Sequence, residues 1–387
     1  MKSFEFVTAA QIVFGVGKRA QLSQLLRGYR AERVFCVNGG SMERAQPIFD
    51  LIAEAGAHYQ AFPVRREPDL ELIRDGASRV RAFRPDCIVA VGGGSVIDAA
   101  KAFAALEAND GDLLDYLEII GSGKPLENPV RIPVVALPTT AGTGSEVTRN
   151  SVIASSEHRL KVSLRSSSML PAVALIDPEL TVSAPATVTA YSGMDALVQL
   201  IEPYVSVAAT PFTDGLCLHA LSLGAPALRR IPDAPEDLDL RSAMSYASLI
   251  GGIALTNAKL GAVHGFAGVL GGMYDAPHGA LCARLLPPVI DANVKALRQR
   301  QMEGEALSRY DAAARAALGS ADAAADDLLA WAWEMNRLLN IPPLRTFGIE
   351  EGHLDEIAEK SARSSSMKGN PIGLTQEELI GALRQAL

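Results

Sequence analysis

The 387-residue sequence has no surplus of positive charge, no basic tract and no long apolar run, and each absence excludes a class of function. Lys and Arg number 36 against 44 Asp and Glu, which gives a formal net charge of -8. An acidic chain without a basic patch is a poor partner for nucleic acid. No uninterrupted apolar stretch reaches the length of a membrane span, and the first residues lack the apolar core of a signal peptide. We therefore expect a cytoplasmic protein without nucleic-acid or membrane partners.

Cysteine is also scarce, and its spacing excludes a disulfide framework. The four cysteines are scattered without the close pairs of a disulfide-rich or zinc-finger chain; they are Cys36, Cys87, Cys217 and Cys282. We predict that they are reduced, buried thiols, as is usual inside cells. What the chain does have is length and 48% hydrophobic residues, enough for two domains and a sizeable core.

One stretch organises the first half of the chain: Ile88 to Phe103, which reads IVAVGGGSVIDAAKAF. An apolar strand ends in Gly92–Gly94, and a helical period begins at Ser95, which we predict to be the N-cap. A glycine turn that opens a helix brings backbone N–H groups and a partial positive charge to a phosphate. The alternative is a plain tight turn, since the pattern is not the GxGxxG of the ordinary dinucleotide fold.

Strands and helices alternate on either side of this stretch, which predicts a parallel sheet covered on both faces. A second glycine turn, 38–41, follows the strand at 33–37, and both turns would lie at the carboxyl edge where ligands bind. The run 138–148, PTTAGTGSEVT, combines hydroxyls and glycines suited to a pyrophosphate or ribose. The alternative is a loop rich in threonine and glycine that is merely soluble. Further strands are expected within 1–20, at 150–154 and at 172–176.

The amino-acid composition changes after Asp177-Pro178: alanine and leucine dominate, and few segments have the pattern of a strand. We place a domain boundary near 185, with an α/β domain over 1–185 and an all-helical domain over 186–387. The predicted helices of the second half are 186–205, 211–227, 237–257, 260–272, 281–297, 302–318, 321–340, 352–362 and 375–387.

Two places in the helical half could carry chemistry. Asp195 and Gln199 are four residues apart and so share a helix face. His264 and His278 are two of only six histidines, and Pro277 before His278 looks like a helix start. One Asp and two His could bind a divalent metal and leave a position open for substrate. From spacing alone, satisfied core histidines explain the pattern as well.

Taken together, the motifs resemble those of the iron-containing (group III) alcohol dehydrogenases, nearly from end to end. The matching segments are GGGSVIDAAK (92–101), LPTTAGTGSEVT (137–148), LKVS (160–163), IDPELT (176–181), GMDAL (193–197), GGMYDAPHG (271–279) and NPIGLTQEEL (370–379). The resemblance implies an N-terminal dinucleotide-binding domain and a helical domain, the dehydroquinate synthase-like fold, with the active site in the cleft between them. It also implies a homo-oligomeric enzyme that acts on a small-molecule alcohol or carbonyl with NADP or NAD and a divalent metal, Fe or Zn.

The resemblance also implies a role for individual residues. Those expected to bind the cofactor are Asn38, Gly39, Gly93, Gly94, Ser95, Asp98, Thr139, Thr140, Thr143, Ser145, Lys161 and Leu180. NAD-preferring members often carry an Asp in the turn that follows the second strand. Here the turn is Asn38-Gly39-Gly40-Ser41, without an acid, and Ser41 could donate to a phosphate. We therefore expect NADP(H), or use of both cofactors.

Two active-site positions depart from the family pattern of one Asp and three His. Asp195, His264 and His278 match the metal ligands, but the fourth position is Gln199, and Gly268 replaces a further histidine near the substrate. Three interpretations follow. A metal still binds, with Gln199 or water in the fourth place; or a metal-free reductase acts on an activated carbonyl or alkene, as in the maleylacetate reductases; or the chain binds nucleotide without redox turnover.

Overall fold

The structure, a computed structural model, describes residues 3–302 and 304–387. Contacts between Cα atoms divide the chain into two compact units. The α/β unit comprises Thr8–Thr140 and Gly144–Ala184. The helical unit comprises Pro185–Leu387, the short segment Ala141–Thr143 and the N-terminal segment that ends at Val7.

A parallel sheet forms the centre of the α/β unit. Its strands are β1 (Gln11–Phe14), β2 (Arg33–Gly39), β3 (His58–Val64), β4 (Cys87–Gly92), β5 (Val134–Pro138) and β8 (Val173–Ile176). Among the described residues they run in the order β1-β8-β5-β4-β2-β3, and every neighbouring pair is parallel. The predicted parallel sheet is therefore confirmed. Asn38 pairs in register with Val91, so both glycine turns lie at the same carboxyl edge, as expected.

The helices of this unit cover both faces of the sheet because its central strand is apolar throughout. They are α1 (Leu22–Gly28), α2 (Met42–Glu54), α3 (Leu70–Phe83), α4 (Gly94–Ala108) and the single turn α5 (Leu113–Tyr116). Successive β4 side chains alternate between two cores: Ile88 and Ala90 join one cluster, Val89 and Val91 the other. A Cβ on Gly76 of α3 would lie 2.1 Å from the Phe103 ring of α4, so glycine permits this close packing.

One local prediction in this unit is wrong. Helix α4 begins at Gly94 with Gly93 as its N-cap, so Ser95 lies inside the helix and does not cap it. The one or two strands expected within 1–20 correspond, among the described residues, to the single strand β1. A hairpin partner was also missed, because β6 (Asn150–Ser155) pairs antiparallel with β7 (Leu160–Arg165). The period-2 burial of Val162 and Leu164 was the signal for it.

The helical unit matches its predicted elements closely, since β-branched runs are rare there and several helices carry side-chain N-caps. Its helices are α6 (Ala186–Val205), α7 (Pro211–Arg230), α8 (Leu238–Asn257), α9 (Ala262–Met273), α10 (His278–Arg300), α11 (Glu305–Leu318), α12 (Ala325–Leu338), α13 (Leu354–Ala362) and α14 (Gln376–Ala386). Thr210, Asp237 and Thr375 each cap the following helix with a side-chain oxygen.

Within the described residues, no single helix is long and apolar enough to cross a bilayer. Helices α8 and α9, bent by 95° at their junction, meet the length and composition of a span only when they are taken together.

Candidate metal centre and nucleotide-binding turn

Helix α6 supplies one side of a buried polar cluster in the helical unit. Asp195, Gln199 and Glu202 are spaced four and three residues apart, which places them on one face of the helix. Their exposed fractions are 2%, 2% and 5%. Three polar side chains in an apolar interior are costly unless they bind something, so this face needs an explanation.

Two histidines and a cysteine complete the cluster from α9 and α10. The Nε2 atom of His264 lies 3.3 Å from Asp195 Oδ1, and that of His278 lies 3.9 Å from the same oxygen. Cys282, one turn after His278, has its Sγ 3.5 Å from His278 Nε2 and 3.8 Å from His264 Nε2. One potential ligand atom from each of Asp195, His264, His278 and Cys282 lies within 4.8 Å of every other. The structure thus brings the predicted Asp and both His together.

Glu202 fixes the orientation of His264. Its Oε2 lies 2.6 Å from His264 Nδ1, which leaves Nε2 facing Asp195 and Cys282. Its Oε1 accepts the backbone N–H of Val263 at 2.7 Å, at the start of α9, where a carboxylate also meets the positive end of the helix dipole. A carboxylate behind a histidine is the usual support of a metal-binding imidazole. Glu202 was not predicted from the sequence, although it lies seven residues after Asp195 on the same helix.

The charges of the cluster are strongly perturbed. Burial alone would raise the pKa of Asp195, but the two histidines outweigh it and hold that pKa at about 2. Burial would lower the pKa of His264, yet its interactions with Cys282, Glu202 and Asp195 raise that pKa well above its usual value. Burial raises the pKa of the Cys282 thiol to about 12. Negative charge concentrated around the imidazoles favours a cation at their centre.

Two buried oxygens of the cluster accept no hydrogen bond from the described residues: Asp195 Oδ1 and Gln199 Oε1. The amide nitrogen of Gln199 donates to the Gly142 carbonyl at 3.3 Å, and the same side chain helps to lower the pKa of Asp195. An unpartnered carboxylate oxygen beside two imidazole nitrogens is what a divalent cation would satisfy. The residues present therefore fit the metal that the resemblance implies.

The position of the second missing histidine is open. A Cβ added at Gly268, one turn after His264 on α9, would meet no atom within 4 Å. The space that a histidine side chain would begin to occupy is therefore empty of protein.

The first glycine turn lies at the end of β4 in the α/β unit. Gly93, Gly94 and Ser95 are partly exposed, and the N-cap of α4 makes no side-chain hydrogen bond. The Thr139 N–H donates to the Gly92 carbonyl at 3.0 Å, which brings the threonine run beside the turn. A Cβ on Gly93 would lie 3.2 Å from Thr140 Oγ1. The first N–H groups of this 15-residue helix therefore have no side-chain cap, and the space between Gly93 and Thr140 is too narrow for a larger side chain. Both features suit the binding of a nucleotide phosphate.

Asp98 and Ser145 are engaged inside the unit instead. Asp98 accepts from the Ser145 hydroxyl through Oδ1 and from the Val152 N–H at 2.8 Å through Oδ2. Its Oδ1 also pairs with the fully buried Lys101 at 2.9 Å. Both residues therefore hold the loop around 143–148 in place.

The remaining candidates occupy varied surroundings. Asn38 is fully buried and donates to the Gly39 carbonyl at 2.7 Å. Lys161 is mostly buried and pairs with Glu67 at 2.5 Å, so it is not the solvated charge expected of a lone lysine. Leu180 packs beside a core cluster, and Thr143 is half-buried in the segment assigned to the helical unit.

A residue not foreseen from the sequence lies beside the second turn. Arg65 directly follows β3, the neighbour of β2, and its Cγ lies 3.2 Å from where a Cβ on Gly40 would be. Ser41 accepts from the Arg44 N–H and caps α2. The turn that lacks an acid therefore has an exposed arginine beside it, whose aliphatic stem adjoins Gly40.

Comparison with known proteins agrees with this geometry. Residues 9–178 match the family model described as iron-containing alcohol dehydrogenase, and 189–387 match the model of its C-terminal part. The chain is 35% identical to a 1,3-propanediol dehydrogenase of Klebsiella pneumoniae over 386 residues, 96% of this chain and 94% of that protein. It is 33% identical to an NADPH-dependent butanol dehydrogenase of Clostridium saccharobutylicum, covering 97% and 95% of the two chains.

A solved 1,3-propanediol oxidoreductase superposes with a TM-score of 0.91 at 31% identity, and the match covers 100% of both chains. Matches of this extent establish family membership as well as fold. The chain belongs to the iron-containing alcohol dehydrogenase family.

Proposed function

We propose that the chain is an NAD(P)-dependent oxidoreductase that interconverts an alcohol and an aldehyde or ketone by hydride transfer, with a divalent metal. Family membership and the names of the relatives support the reaction class. The observation that carries the metal is Asp195 Oδ1, buried without a hydrogen bond beside two imidazole nitrogens.

The two halves of the chain have different binding roles. Residues 1–185 bind the nucleotide, and 186–387 bind the metal and substrate. Gly93, Gly94 and Ser95 receive the pyrophosphate at the start of α4, with Thr139 and Thr140 beside them. Asn38, Gly39, Thr143, Lys161 and Leu180 line the rest of the nucleotide, while Asp98 and Ser145 shape the loop next to it.

Asp195, His264 and His278 would hold the metal, with Gln199 adjoining Asp195. When bound, the metal supplies Lewis-acid polarisation of the carbonyl oxygen. The chain's own residues prepare this chemistry. Asp195 remains anionic, Glu202 holds the His264 ring with Nε2 inward, and Gly268 leaves room for a substrate larger than a histidine-lined pocket would admit.

NADP(H) is the preferred cofactor. The turn after β2 carries no acid to repel a 2′-phosphate, and Arg65 adjoins Gly40 in that turn. An arginine near this turn is a known means of accommodating the 2′-phosphate in dinucleotide-binding folds. The free, buried cysteines support a reducing, cytoplasmic setting, and the family resemblance supports a homo-oligomer.

Arg65→Ala tests the preference. Loss of a charge-assisted contact with a phosphate predicts about 10- to 100-fold weaker NADPH binding, with NADH binding unchanged. Arg66→Ala is the matched control, because Arg66 is exposed and already paired with Asp69 at 2.6 Å. Equal effects of Arg65→Ala on the two cofactors would contradict the assignment.

A metal-free reductase of activated carbonyls or alkenes is the second candidate, because Gln199 stands where the family pattern has an imidazole. NADPH oxidation with a panel of aldehydes, ketones and activated alkenes, before and after removal of metal with a chelator, separates the two. Loss of turnover with the chelator and recovery with Zn²⁺ or Fe²⁺ supports the metal-dependent enzyme. Chelator-resistant turnover supports the alternative, and cofactor binding without turnover on any substrate contradicts both.

A further inference from the structure

The donor set of the metal centre is incomplete if only family positions are counted. Asp195, His264 and His278 provide three donors, and Gln199 occupies the fourth position with a neutral amide. We propose that the thiolate of Cys282 supplies the fourth donor, so that the centre is an Asp-His-His-Cys site that favours zinc over iron. This inference rests on the proposed metal-dependent function and concerns the same centre.

The spacing of the donor atoms supports a tetrahedral site that includes the sulfur. With Zn–N and Zn–O near 2.0–2.2 Å and Zn–S near 2.3 Å, tetrahedral donors lie about 3.4–3.6 Å apart. The four measured separations are 3.3 and 3.9 Å from Asp195 Oδ1 to the two Nε2 atoms, and 3.5 and 3.8 Å from Cys282 Sγ to the same nitrogens. These four separations are close to those values, and all six lie within 4.8 Å. A substrate oxygen would enter as a fifth ligand, a number that catalytic zinc sites accept.

Position along the chain and burial point the same way. Cys282 lies four residues after His278 on α10, so the two side chains share one helix face. Its side chain is fully buried, and Asp195 Oδ1, also buried, accepts no hydrogen bond from the described residues. The groups nearest to that oxygen are therefore the two imidazole nitrogens, at 3.3 and 3.9 Å, which are themselves metal-binding atoms.

Gln199 is the alternative fourth ligand, but its surroundings make it a weaker candidate than Cys282. Its amide nitrogen is already committed to the Gly142 carbonyl at 3.3 Å, which fixes the orientation of the group. Its oxygen is free but neutral, and amide oxygens suit hard cations better than zinc. A thiolate is a softer and stronger donor for zinc, and the thiol gives up its proton to solvent when the metal binds.

Cobalt substitution tests the assignment without relying on turnover. The full chain is stripped of metal with a chelator and titrated with Co²⁺ while its absorption spectrum is recorded. The wild type is expected to show a thiolate-to-cobalt charge-transfer band together with the visible bands of tetrahedral cobalt. Cys282→Ser and Cys282→Ala should lose the charge-transfer band, whereas Gln199→Ala and the control Cys217→Ser should keep it.

Zinc affinity, measured by competition with a chromophoric chelator, adds a second readout. Cys282→Ser should weaken zinc binding at least about 100-fold, and Gln199→Ala less than about 10-fold, because one removes a ligand and the other a neighbour. Stoichiometric cobalt without the charge-transfer band, or a larger loss in Gln199→Ala than in Cys282→Ser, would overturn the inference and leave the proposed function standing. Failure of the wild type to bind either metal would overturn both.

Discussion

Two buried clusters of charged side chains lie in this chain, one in each unit, and they differ in whether their polar atoms are satisfied. The Lys101 cluster of the α/β unit consists of Asp98, Lys101, Ser145 and Thr148. The Asp195 cluster of the helical unit consists of Asp195, Gln199, His264, His278 and Cys282. Both combine anionic and cationic groups away from water, so burial of charge alone does not separate them.

In the Lys101 cluster the ionised groups have partners. The Lys101 ammonium contacts Asp98 at 2.9 Å, the Thr148 hydroxyl at 2.8 Å and the Ser145 carbonyl at 3.0 Å. Both oxygens of Asp98 accept hydrogen bonds. Burial nevertheless lowers the pKa of Lys101, which shows that the buried charge is costly. The cluster therefore affects stability mainly when one partner is removed and the other is left buried without its counter-charge.

In the Asp195 cluster two buried oxygens accept no hydrogen bond from the described residues. Most buried polar atoms in proteins are satisfied, although a few others in the described chain, such as those of Ser245 and Asn336, are not. In the Asp195 cluster the unsatisfied carboxylate oxygen lies beside two imidazole nitrogens, and a cation would account for that combination. We infer that a structural cluster differs from a ligand site in whether its buried polar atoms have hydrogen-bond partners within the protein. Three substitutions test this difference.

Lys101→Met should cause the largest loss of stability. It removes one partner of a buried pair and leaves the Asp98 carboxylate without its cation, which typically costs about 3–5 kcal/mol of unfolding free energy. Urea denaturation of the metal-free chain measures it. Lys295→Met is the control, because its pair with Asp291 is exposed on the lysine side and is worth less than about 1 kcal/mol. Similar losses in the two variants would refute the structural role of Lys101.

Asp195→Asn should behave in the opposite way. Because His264 keeps the Glu202 carboxylate beside its Nδ1 when Asp195 is neutralised, we expect the metal-free chain to lose less stability than it loses with Lys101→Met. Zinc affinity should nevertheless fall at least about 100-fold, since a ligand is lost. Urea denaturation without metal and chelator competition with metal give the two numbers. A large loss of metal-free stability with normal zinc affinity would reverse the roles of the two clusters.

Glu202→Gln should have the smallest of the three effects. The substituted amide can still accept the Val263 N–H through its oxygen, so the start of α9 is preserved, but the charge beside His264 Nδ1 is gone. We expect zinc affinity to fall about 10- to 100-fold, the usual cost of losing a partner behind a metal-binding histidine. Unchanged affinity would mean that Glu202 serves the helix end alone.

The sequence predicted the features that depend on local pattern. The apolar run 88–91 and the glycines after it gave the central strand and turn, and helical periodicity gave the helices from α6 to α14. Ser95 was predicted to be the N-cap, but the helix begins one residue earlier, at Gly94. The sequence of glycines followed by serine is compatible with either start. Strand β6 was predicted, but its hairpin partner β7 was missed, although Leu160, Val162 and Leu164 alternate with polar residues as in a half-buried strand.

The site residues could be predicted only in part, because they come together through contacts between segments that are distant in the sequence. Spacing paired Asp195 with Gln199, and the resemblance joined them to His264 and His278. Cys282 was interpreted as an ordinary buried thiol, although its four-residue spacing from His278 places both side chains on one helix face; its approach to Asp195 and His264 is visible only in the folded chain. Asp98 was assigned to the cofactor on its motif, whereas its partners Ser145 and Val152 become visible only when the loop is folded.

Elemental analysis of the chain purified without chelator tests the central claim most directly, with Asp195→Asn prepared in parallel. The account predicts close to one divalent metal per chain in the wild type, with zinc the most abundant, and little or none in the variant. A wild type that carries no metal and takes up none from added Zn²⁺ would contradict it, because the unsatisfied oxygens of the Asp195 cluster would then have no ligand to receive.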